Sequence, residues 1–478
     1  MHRCSLPLLL GVALPSALPA QHAPACAVLL EGFRAKIEAN YAGFHLEVRG
    51  ARRRAYDERY ERLAREASAA AGEACFFVLD RFVGWFDDPH VFVFQSTHLD
   101  TATTAERARA VRISGVTEST ARSYLSTAGR RLDPIEGIWY DGRGLRVAVV
   151  ADSEGADTFR AVVLTSDTTL WPVGAVRASI ARREDGRYRV DLYERNFALR
   201  HLDAAVHKEV LLRLSPGIWG REFPRPSSEG LVDRRDPRRP TLVRWGNTVV
   251  VSVVSHDPAY ARAFDSLVSA SDSALRSAER LIVDLRGNEG GSSWVTNPLL
   301  PFIESRERRA GPYGGDRTVM LSSPDQIAYA RSAFGPDTAA FVRELIGRLT
   351  ASPGEFVPLP SDPPAAPDAP LLGPPHVAIV TDGGTVSAGE VLVLKALRST
   401  RARVFGQPTA GALDYPSVNV VRVAPGEQRW HLGYPTMASS AHLPRNGMRG
   451  KGIAPDARIA VWELWPVIVE VDRRLRGG

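Results

Sequence analysis

Residues 376–397, HVAIVTDGGTVSAGEVLVLKAL, combine a short apolar run, two glycines and an apolar pattern with helical spacing. The apolar run is typical of a buried strand, the glycines indicate a turn, and the pattern from Ala388 onward predicts a helix. Ser387 therefore lies at a helix N-terminus, where free N–H groups and the helix dipole favour negative charge. This position suits a nucleophilic hydroxyl. On this stretch alone a simple helix cap is the more common reason for such a serine, with Glu390 completing an S-x-x-E capping box.

A second strand followed by glycines lies earlier in the chain, at residues 280–293, RLIVDLRGNEGGSS. The backbone N–H groups of Gly290 and Gly291 can approach a ligand closely because glycine has no side chain, as an oxyanion site requires. Neither turn contains G-x-G-x-x-G or G-x-x-x-x-G-K, so a nucleotide-binding loop is not indicated. Ser387 also lacks the G-x-S-x-G context, so the usual α/β-hydrolase elbow is not indicated either.

The chain divides by pattern into three regions that follow a short leader. Apolar positions at helical spacing predict a helical region within residues 21–130. Short alternating runs between glycine and aspartate turns predict an antiparallel β module at 131–220. Strands that alternate with helices predict an α/β layer domain at 235–478. Within it, residues 306–375 are predicted to form an insertion with one helix and a proline-rich linker, whose prolines cannot join a sheet.

The N-terminus, residues 1–20, has the layout of a secretory signal peptide. His2 and Arg3 precede an apolar run, and small residues follow it up to Ala20. The run is shorter than the roughly 20 residues that a membrane-spanning helix needs, and no later segment reaches that length. A short anchor that stays attached is the alternative. We expect cleavage near Ala20 and export to the periplasm or beyond, with no stable membrane span in the mature protein.

Two of the three cysteines, Cys26 and Cys75, remain once the leader is removed. In an oxidising compartment only one pairing is then possible, and we expect these two residues to form a disulfide. Two alternatives stay open. The thiols are both free and buried, or Cys26 is lipidated, although the residues before it match a lipoprotein signal poorly.

The charge of the chain does not indicate a nucleic-acid partner. Lys and Arg number 60 against 54 Asp and Glu, which gives a formal charge of +6. Almost all of the basic residues are arginines, because the chain has only four lysines: Lys36, Lys208, Lys395 and Lys451. The arginine clusters have no aromatic residues between them, and such clusters are more typical of solvated faces than of nucleic-acid sites.

Four ordered motifs in the second half of the chain resemble those of the tail-specific, or C-terminal processing, serine peptidases. This family includes the tricorn core protease and the interphotoreceptor retinoid-binding repeats. The motifs are DLRGNEGG at 284–291, TVSAGE at 385–390, VFGQPTAGA at 404–412 and GKGIAPD at 450–456. Upstream, two further segments resemble the N-terminal part of secreted members: NYAGFH at 40–45 and WFDDPHVFV at 85–93.

The resemblance implies a fold and a reaction. The fold is a crotonase-like spiral α/β catalytic domain, and the reaction is hydrolysis of peptide bonds in a polypeptide substrate, with no metal and no cofactor. The resemblance assigns the nucleophile to Ser387 and the oxyanion donors to the N–H of Ala388 and of Gly290 or Gly291. We therefore expect an exported serine endopeptidase that acts on extended or unfolded polypeptides. The alternative is a non-catalytic binding protein on the same scaffold.

The general base differs from that of many members. Members with a Ser–Lys dyad have lysine where this chain has Ala412, so that dyad is absent. Lys395 lies about 12 Å from Ser387 along the predicted helix, which is too far for proton transfer. Lys451, in the closing motif, stays an alternative. The tricorn-like branch uses an N-terminal histidine instead. His90 occupies the corresponding position, and neutral imidazole is a good base near pH 7.

Other departures concern the groups around the base. The tricorn-like branch supports its site with a glutamate where this chain has Arg449. Three acidic residues are candidates to replace it: Asp414, Glu390 and Asp87. Two further histidines compete with His90 for the role of base: His431 and His442. Glu289 stands where the family usually has glycine, and we expect it to point to solvent or to slow the reaction.

The β module also departs from the family pattern. It takes the place in the chain of the family's peptide-binding PDZ module, but it lacks the G-L-G-F-like loop of such modules. Capture of a substrate's C-terminal carboxylate is therefore not indicated.

Overall fold

The computed structural model describes residues 25–96, 101–127, 131–152, 155, 157–166, 171–194, 197–214, 217–224, 230–305, 317–333, 340–359, 372–423 and 429–477. The predicted signal peptide at 1–20 lies outside these residues, as does most of the proline-rich linker. Among the described residues, no helix combines the length and the apolar character needed to cross a membrane.

Four helices and one strand form the N-terminal region, as the helical spacing predicts. They are α1 (Cys26–Asn40), α2 (Ala42–Glu47), α3 (Gly50–Ala67), α4 (Glu73–Val83) and, after a 3₁₀ turn at Gly84–Phe86, strand β1 (Phe92–Gln95). Cys26 and Cys75 form the predicted disulfide, which joins α1 to α4. The apolar faces of α1, α3 and α4 meet in one core, in which Phe33, Tyr56 and Phe82 are buried.

A closed antiparallel barrel of eight strands follows two further helices, α5 (Thr101–Ala110) and α6 (Glu118–Leu125). Its strands are β2 (Gly137–Tyr140), β3 (Arg146–Ala151), β4 (Thr158–Thr165), β5 (Val176–Arg182), β6 (Tyr188–Tyr193), β7 (Leu199–His207), β8 (Leu211–Leu214) and β9 (Ile218–Phe223). Strand β9 pairs with β2 and closes the barrel. The antiparallel β module is thus confirmed. Its closure was not predicted, because alternation reveals which face of a strand is buried but not which edge strands pair.

The third region is built on a six-stranded sheet in the order β10-β11-β12-β15-β16-β20. Its strands are β10 (Thr241–Trp245), β11 (Thr248–Ser252), β12 (Arg280–Asp284), β15 (His376–Thr381), β16 (Ala402–Gly406) and β20 (Ala457–Arg458). All neighbours are parallel except β10 and β11. The strands follow one another through the sheet in chain order. The predicted α/β class, with its helical region and antiparallel β module, is confirmed.

Further helices and two small sheets complete this region. The helices are α7 (Ala261–Ala270), α8 (Asp272–Ser277), α9 (Leu300–Ile303), α10 (Pro324–Ala333), α11 (Ala340–Ala351), α12 (Ala388–Leu397) and α13 (Leu464–Arg476), and a 3₁₀ segment spans Ser293–Leu299. The remaining strands are β13 (Val319–Leu321), β14 (Phe356–Pro358), β17 (Val418–Arg422), β18 (Trp430–Pro435) and β19 (Met437–Ala438). Helix α11 coincides with the helix predicted within the insertion.

Two pairings position the candidate site. Strands β12 and β15 are adjacent and parallel, with Asp284 opposite Val380, so the turns that follow both strands lie side by side at one edge of the sheet. Strand β1 pairs antiparallel with β18, with Val93 opposite Leu432. The N-terminal region is therefore joined to the α/β region by a shared sheet, and the segment that carries His90 is attached to the third region of the chain.

Candidate active site

Ser387 occupies a strained backbone conformation at the start of α12. Its φ is 54° and its ψ is −113°, a combination that residues with a side chain rarely adopt. The preceding strand β15 ends at Thr381, and Gly383 and Gly384 make the turn between strand and serine. The serine side chain is partly exposed rather than buried. The strand, turn and helix predicted around Ser387 are therefore all present.

The glycine turn after β12 packs directly against this serine. A Cβ atom at position 290 would lie 2.9 Å from the Cβ of Ser387 and 3.6 Å from the nitrogen of Ala388, so only glycine fits there. The N–H of Val386 also donates to the carbonyl of Asn288 at 3.1 Å. The structure thus brings together the two glycine turns that stand about 100 residues apart in the chain.

Two N–H groups at this junction have no acceptor among the described residues, those of Ala388 and Gly291. The N–H of Gly290, in contrast, donates to Oδ1 of Asn288 at 3.0 Å. Gly291 is exposed, so its N–H can reach a ligand. Of the two glycines that the sequence left open as oxyanion donors, Gly291 is therefore the one whose N–H is not already engaged.

Buried polar groups hold the glycine turn in place. Asn288 donates from Nδ2 to the carbonyl of Val253 at 2.7 Å, and its Oδ1 accepts Nδ1–H of His256 at 3.1 Å. Burial lowers the pKa of His256 to about 4, although its bond to Asn288 acts in the opposite direction. A neutral His256 can accept a hydrogen bond at Nε2, where the Thr296 hydroxyl lies 3.3 Å away. This histidine supports the turn and faces no open space, since it is fully buried.

Glu390 connects the nucleophile segment to the G-x-x-T-x-G segment. Its buried carboxylate accepts the N–H of Ser387 at 3.0 Å, the hydroxyl of Thr409 at 2.6 Å, and the N–H groups of Gly411 and Ala412 at 2.7 and 2.9 Å. The carboxylate half of the predicted capping box is therefore present. Glu390 makes so many hydrogen bonds within its own surroundings that it acts as an anchor for two chain segments.

His90 lies in a buried polar network in the N-terminal region. The backbone N–H of His90 donates to Oδ1 of Asp88 at 2.9 Å, and the ring atom Nδ1 lies 4.0 Å from the same oxygen. Nδ1 is buried and has no hydrogen-bond partner among the described residues. The hydroxyl of Tyr41 donates to the other oxygen of Asp88 at 2.7 Å. Burial raises the pKa of Asp88, although the charge of His90 and the bond from Tyr41 oppose that rise.

The two N-terminal motifs singled out in the sequence thus meet in space, because Tyr41 belongs to one and Asp88 to the other. The sequence offers Asp87 as a candidate acid, whereas the network contains its neighbour Asp88. Asp87 is exposed and has a φ of 53°, so its carboxylate is not part of the network. The signal that could have found Asp88 is its place two residues before His90, since an acid at that spacing can bond the histidine's own N–H.

Arg449, which stands where the tricorn-like branch has a glutamate, ties the N-terminal region to the closing motif. It forms an ion pair with Glu47 at 2.6 Å and donates to the carbonyl of Phe86 at 3.4 Å. The N–H groups of Arg449 and Met448 donate to the carboxylate of Asp414 at 3.0 and 2.7 Å. Asp414 therefore anchors the loop before the closing motif.

The other candidate bases are placed less favourably. Lys395 donates to Oδ1 of Asn297 at 3.2 Å, and Lys451 is exposed to solvent. His431 stacks on Phe94 with 4.6 Å between ring centroids, and His442 is exposed. Each of these side chains already has a structural contact or faces solvent at the surface.

Glu289 does not point to solvent, so the other alternative, that it slows the reaction, stays a prediction. Its side chain is only 18% exposed and forms an ion pair with Arg238 at 3.2 Å. The hydroxyl of Ser255 also donates to its carboxylate at 2.8 Å. Burial raises the pKa of Glu289, against the effect of Arg238. The carboxylate is held by these partners because the linker before β10 folds back over the glycine turn.

Sequence reasoning missed a second histidine beside the nucleophile turn. Nδ1 of His207, at the end of barrel strand β7, lies 2.8 Å from Oδ2 of Asp382. Asp382 precedes the two glycines of the turn, and a Cβ at Gly384 would lie 2.3 Å from the His207 ring. A cavity of about 440 Å³ opens on the same turn; it is lined by Gly383, Gln407, Pro408, Arg458, Ile459 and Ala460. No group of side chains suited to holding a metal ion is found among the described residues.

Residues 250–459 match the model of peptidase family S41. This part of the chain is similar to peptidase family S41. The predicted resemblance to the tail-specific peptidases is confirmed, and the protein is a serine-type peptidase. The S41 match includes Ser387 and both glycines of the second turn, whereas His90 and the barrel lie before it. Comparison with curated proteins finds no match.

Solved structures similar to this chain have low sequence identity to it. A lipoprotein from Streptococcus agalactiae is 12% identical with a TM-score of 0.41, over 98% of this chain and 99% of that chain. Mature CPAF complexed with lactacystin is 13% identical with a TM-score of 0.45, over 94% and 98%. A photosystem II D1 C-terminal processing protease is 14% identical with a TM-score of 0.35, over 92% and 94%.

Proposed function

We propose that this protein is an exported serine endopeptidase that hydrolyses extended or unfolded polypeptides, with Ser387 as its nucleophile. The observation that carries this proposal is the junction of Ser387 with the glycine turn after β12. A partly exposed serine in a strained conformation stands at a helix N-terminus, beside two N–H groups that have no acceptor in the described ranges of the chain. Backbone strain of this kind costs about 1 to 3 kcal/mol, which the surrounding packing must offset. Residues under such strain are found mostly at functional sites.

The N–H groups of Ala388 and Gly291 are the proposed oxyanion donors. When the hydroxyl oxygen of Ser387 attacks a peptide carbonyl, negative charge develops on the carbonyl oxygen. Donors that are fixed before the reaction stabilise this charge without reorganisation. The positive end of the α12 dipole acts in the same direction. Gly290 serves instead as the surface on which the serine packs, since its own N–H is bonded to Asn288.

His90 is the proposed general base, and Asp88 the residue that orients it. In this mechanism, the ring nitrogen that does not face Asp88 accepts the proton from the Ser387 hydroxyl. The imidazolium then gives that proton to the leaving amine, and a water molecule hydrolyses the acyl-enzyme in the reverse sequence of proton transfers. Asp88 stabilises the imidazolium by its charge and needs to approach Nδ1 by only about 1 Å from its present 4.0 Å to bond it.

Contacts between loops support this pairing of distant residues. Ser387 is bonded through Glu390 to residues 409–412, and the carbonyl of Phe86, four residues before His90, is bonded through Arg449 to the loop that Asp414 anchors. A Cβ at Gly411 would lie 2.5 Å from the carbonyl oxygen of Met448, so the two loops are in contact. The nucleophile segment and the segment that carries His90 therefore contact the same pair of loops.

The substrate form and the compartment rest on separate features. The cavity beside Gly383 has a volume within the range of about 300 to 1,000 Å³ that holds drug-sized ligands, which suits a short stretch of extended peptide. The leader-like pattern of residues 1–20 and the disulfide between Cys26 and Cys75 both favour an oxidising compartment outside the cytoplasm. We propose the periplasm or the extracellular space.

A serine-directed fluorophosphonate probe tests the nucleophile. We expect the purified protein to be labelled once per chain and to digest an unfolded protein such as reduced, alkylated casein. Ser387→Ala should lose both properties, whereas Ser266→Ala, on the exposed face of α7, should keep both. Labelling and digestion by Ser387→Ala at the wild-type rate would show that another residue is the nucleophile. A wild-type protein that neither reacts nor digests would favour the non-catalytic binding protein.

A further inference from the structure

The turn between barrel strands β7 and β8 is built into the catalytic sheet. Lys208 and Glu209 in this turn have φ values of 39° and 59°. The residues that follow, Val210 and Leu211, are buried in the same core as Ile282 of β12. The β7–β8 turn of the barrel is therefore packed against the six-stranded sheet that carries the candidate site.

Two side chains from this part of the barrel bond the nucleophile turn. Nδ1 of His207 lies 2.8 Å from the Asp382 carboxylate, so it donates there, and Nη1 of Arg213 donates to the carbonyl of Gly384 at 2.7 Å. The His207 ring also packs on the backbone of Gly384 and of Gly287. Its Nε2 is buried and has no partner in the described part of the chain. The bond to Asp382 is therefore what orients the ring.

Asp382 couples the two turns of the candidate site. Its Oδ1 accepts the N–H of Gly287, at the beginning of the glycine turn, and the N–H of Gly384, each at 2.9 Å. Its other oxygen faces His207. Burial alone would raise the pKa of Asp382, but the charge of His207 and these hydrogen bonds hold it well below its usual range. The carboxylate is thus a charged group that fixes the nucleophile turn relative to the oxyanion turn.

Lys208, the residue after His207, contacts the end of β12. Lys208 is fully buried, and its Nζ donates to the Ser252 hydroxyl at 3.0 Å and to Asp284 at 3.2 Å. Asp284 in turn bonds Arg286, whose guanidinium donates to carbonyls before and within the first turn of α13. The β7–β8 turn therefore contacts the ends of both strands that lead into the site.

We propose that His207 is a positioning residue for the reaction, so that the barrel sets the geometry of the nucleophile turn through the bond from His207 to Asp382. This inference rests on the proposed function of Ser387. It assigns the barrel a role in the chemical step, in addition to any contact that it makes with substrate. His207 does not touch the reacting atoms; it acts through Asp382 and Gly384.

Three substitutions at one position and a matched control test this role. His207→Ala removes the bond, His207→Asn places an amide N–H where Nδ1–H was, and His207→Gln moves that donor by one atom. His201→Ala is the control, because His201 lies on the same strand, is similarly buried, and bonds Asp191 at 2.7 Å within the barrel. The readouts are the rate constant of fluorophosphonate labelling, kcat and KM on a peptide, the unfolding midpoint, and hydrogen exchange of residues 382–391.

We expect His207→Ala to lower kcat and the labelling rate at least tenfold, with KM within threefold of wild type. Exchange at residues 382–391 should become faster. His207→Asn should recover most of the loss, His207→Gln should not, and His201→Ala should match wild type in every property except the unfolding midpoint. If His207→Ala does not fold, the contrast between the Asn and Gln variants carries the test.

Other results would overturn the inference. Labelling of His207→Ala at the wild-type rate, a raised KM with unchanged kcat, or failure of His207→Asn alongside His207→Gln would each do so. A wild-type protein that never reacts with the probe would refute the proposed function alone. Hydrogen exchange would still decide the positioning role in that case, because unchanged exchange at residues 382–391 in His207→Ala contradicts it.

Discussion

The carboxylate of Asp88 accepts the backbone N–H of His90 at 2.9 Å and lies 4.0 Å from the ring atom Nδ1 of the same residue. This relationship places a buried acid beside the proposed base, although the glutamate of the tricorn-like branch is replaced by Arg449. Arg449 itself forms an ion pair with Glu47 at 2.6 Å, so the carboxylate of Glu47 is already engaged. We therefore propose Asp88 as the acid that faces the imidazole.

His90→Ala should lower kcat by a factor of about 10² to 10⁴, the usual contribution of a general base. Steady-state hydrolysis of a peptide near pH 8 is the measurement. Lys451→Ala and His442→Ala are the controls, and both should stay within about twofold of wild type because both side chains are exposed. Normal hydrolysis by His90→Ala, with activity lost in either control, would give the role of base to that other residue.

Asp88→Asn should lower kcat less than His90→Ala does, by a factor of about 10 to 100, because it removes charge stabilisation of the imidazolium and leaves the base in place. Asp87→Asn is the matched control, since asparagine tolerates the left-handed conformation of that exposed position. Activity lost in Asp87→Asn and kept in Asp88→Asn would reverse the assignment of the supporting acid.

The fold could be predicted from local pattern because strands β11, β12 and β15 are short apolar runs and α12 begins directly after a serine. The two glycine turns could also be assigned to one site, since parallel strands end at the same edge of a sheet. The position of His90 followed only from the family resemblance.

The contacts that the sequence did not reveal are those between distant segments. His207 is an ordinary residue at the end of an alternating strand, and nothing local indicates that the barrel closes and inserts its β7–β8 turn beside Asp382. The ion pair between Glu289 and Arg238 could not be predicted, because Arg238 lies about 50 residues earlier and its approach depends on the path of the linker. Local periodicity reports which face of an element is buried, but not what is packed against it.

The disulfide predicts a thiol count and a loss of stability on reduction. Unfolded, unreduced protein should show no reactive thiol from Cys26 or Cys75 in titration with Ellman's reagent. In the chain-entropy model, closing a loop of about 50 residues contributes roughly 3 to 4 kcal/mol to the free energy of unfolding. Denaturation of the Cys26→Ala/Cys75→Ala variant measures this difference. Two reactive thiols in the mature wild-type protein would contradict the bond.

Acid should destabilise the protein through Asp284 and Asp382. Burial alone would raise the pKa of both, yet the charges of Arg286 and Lys208 on one, and of His207 on the other, hold both pKa values below the usual range. Such groups bind fewer protons when folded, so their stabilisation is fully present above the unfolded pKa of about 3.9 and is lost as pH falls through the folded value.

Urea denaturation between pH 7 and pH 2 measures this effect. We expect the free energy of unfolding to decrease as the pH drops below about 4. Asp382→Asn should be less stable than wild type at pH 7, and the difference should shrink as the pH falls below about 4, because the stabilisation by the wild-type carboxylate is progressively lost there. A constant difference between the two proteins at every pH would show that the charge of Asp382 is not what stabilises the fold.

The strain at Ser387 predicts a reversal of the usual preference between glycine and alanine. In an exposed helix interior glycine is about 1 kcal/mol less stable than alanine, and Ser266 of α7 offers that setting. At Ser387, with φ of 54°, alanine keeps the strain and glycine removes it. We therefore expect Ser387→Gly to exceed Ser387→Ala in free energy of unfolding by about 1 kcal/mol, and Ser266→Gly to fall below Ser266→Ala by a similar amount. Both Ser387 variants should be inactive, so a stability gain would accompany the loss of the nucleophile. Equal stability of Ser387→Gly and Ser387→Ala, with the expected difference at Ser266, would show that the backbone at Ser387 is relaxed.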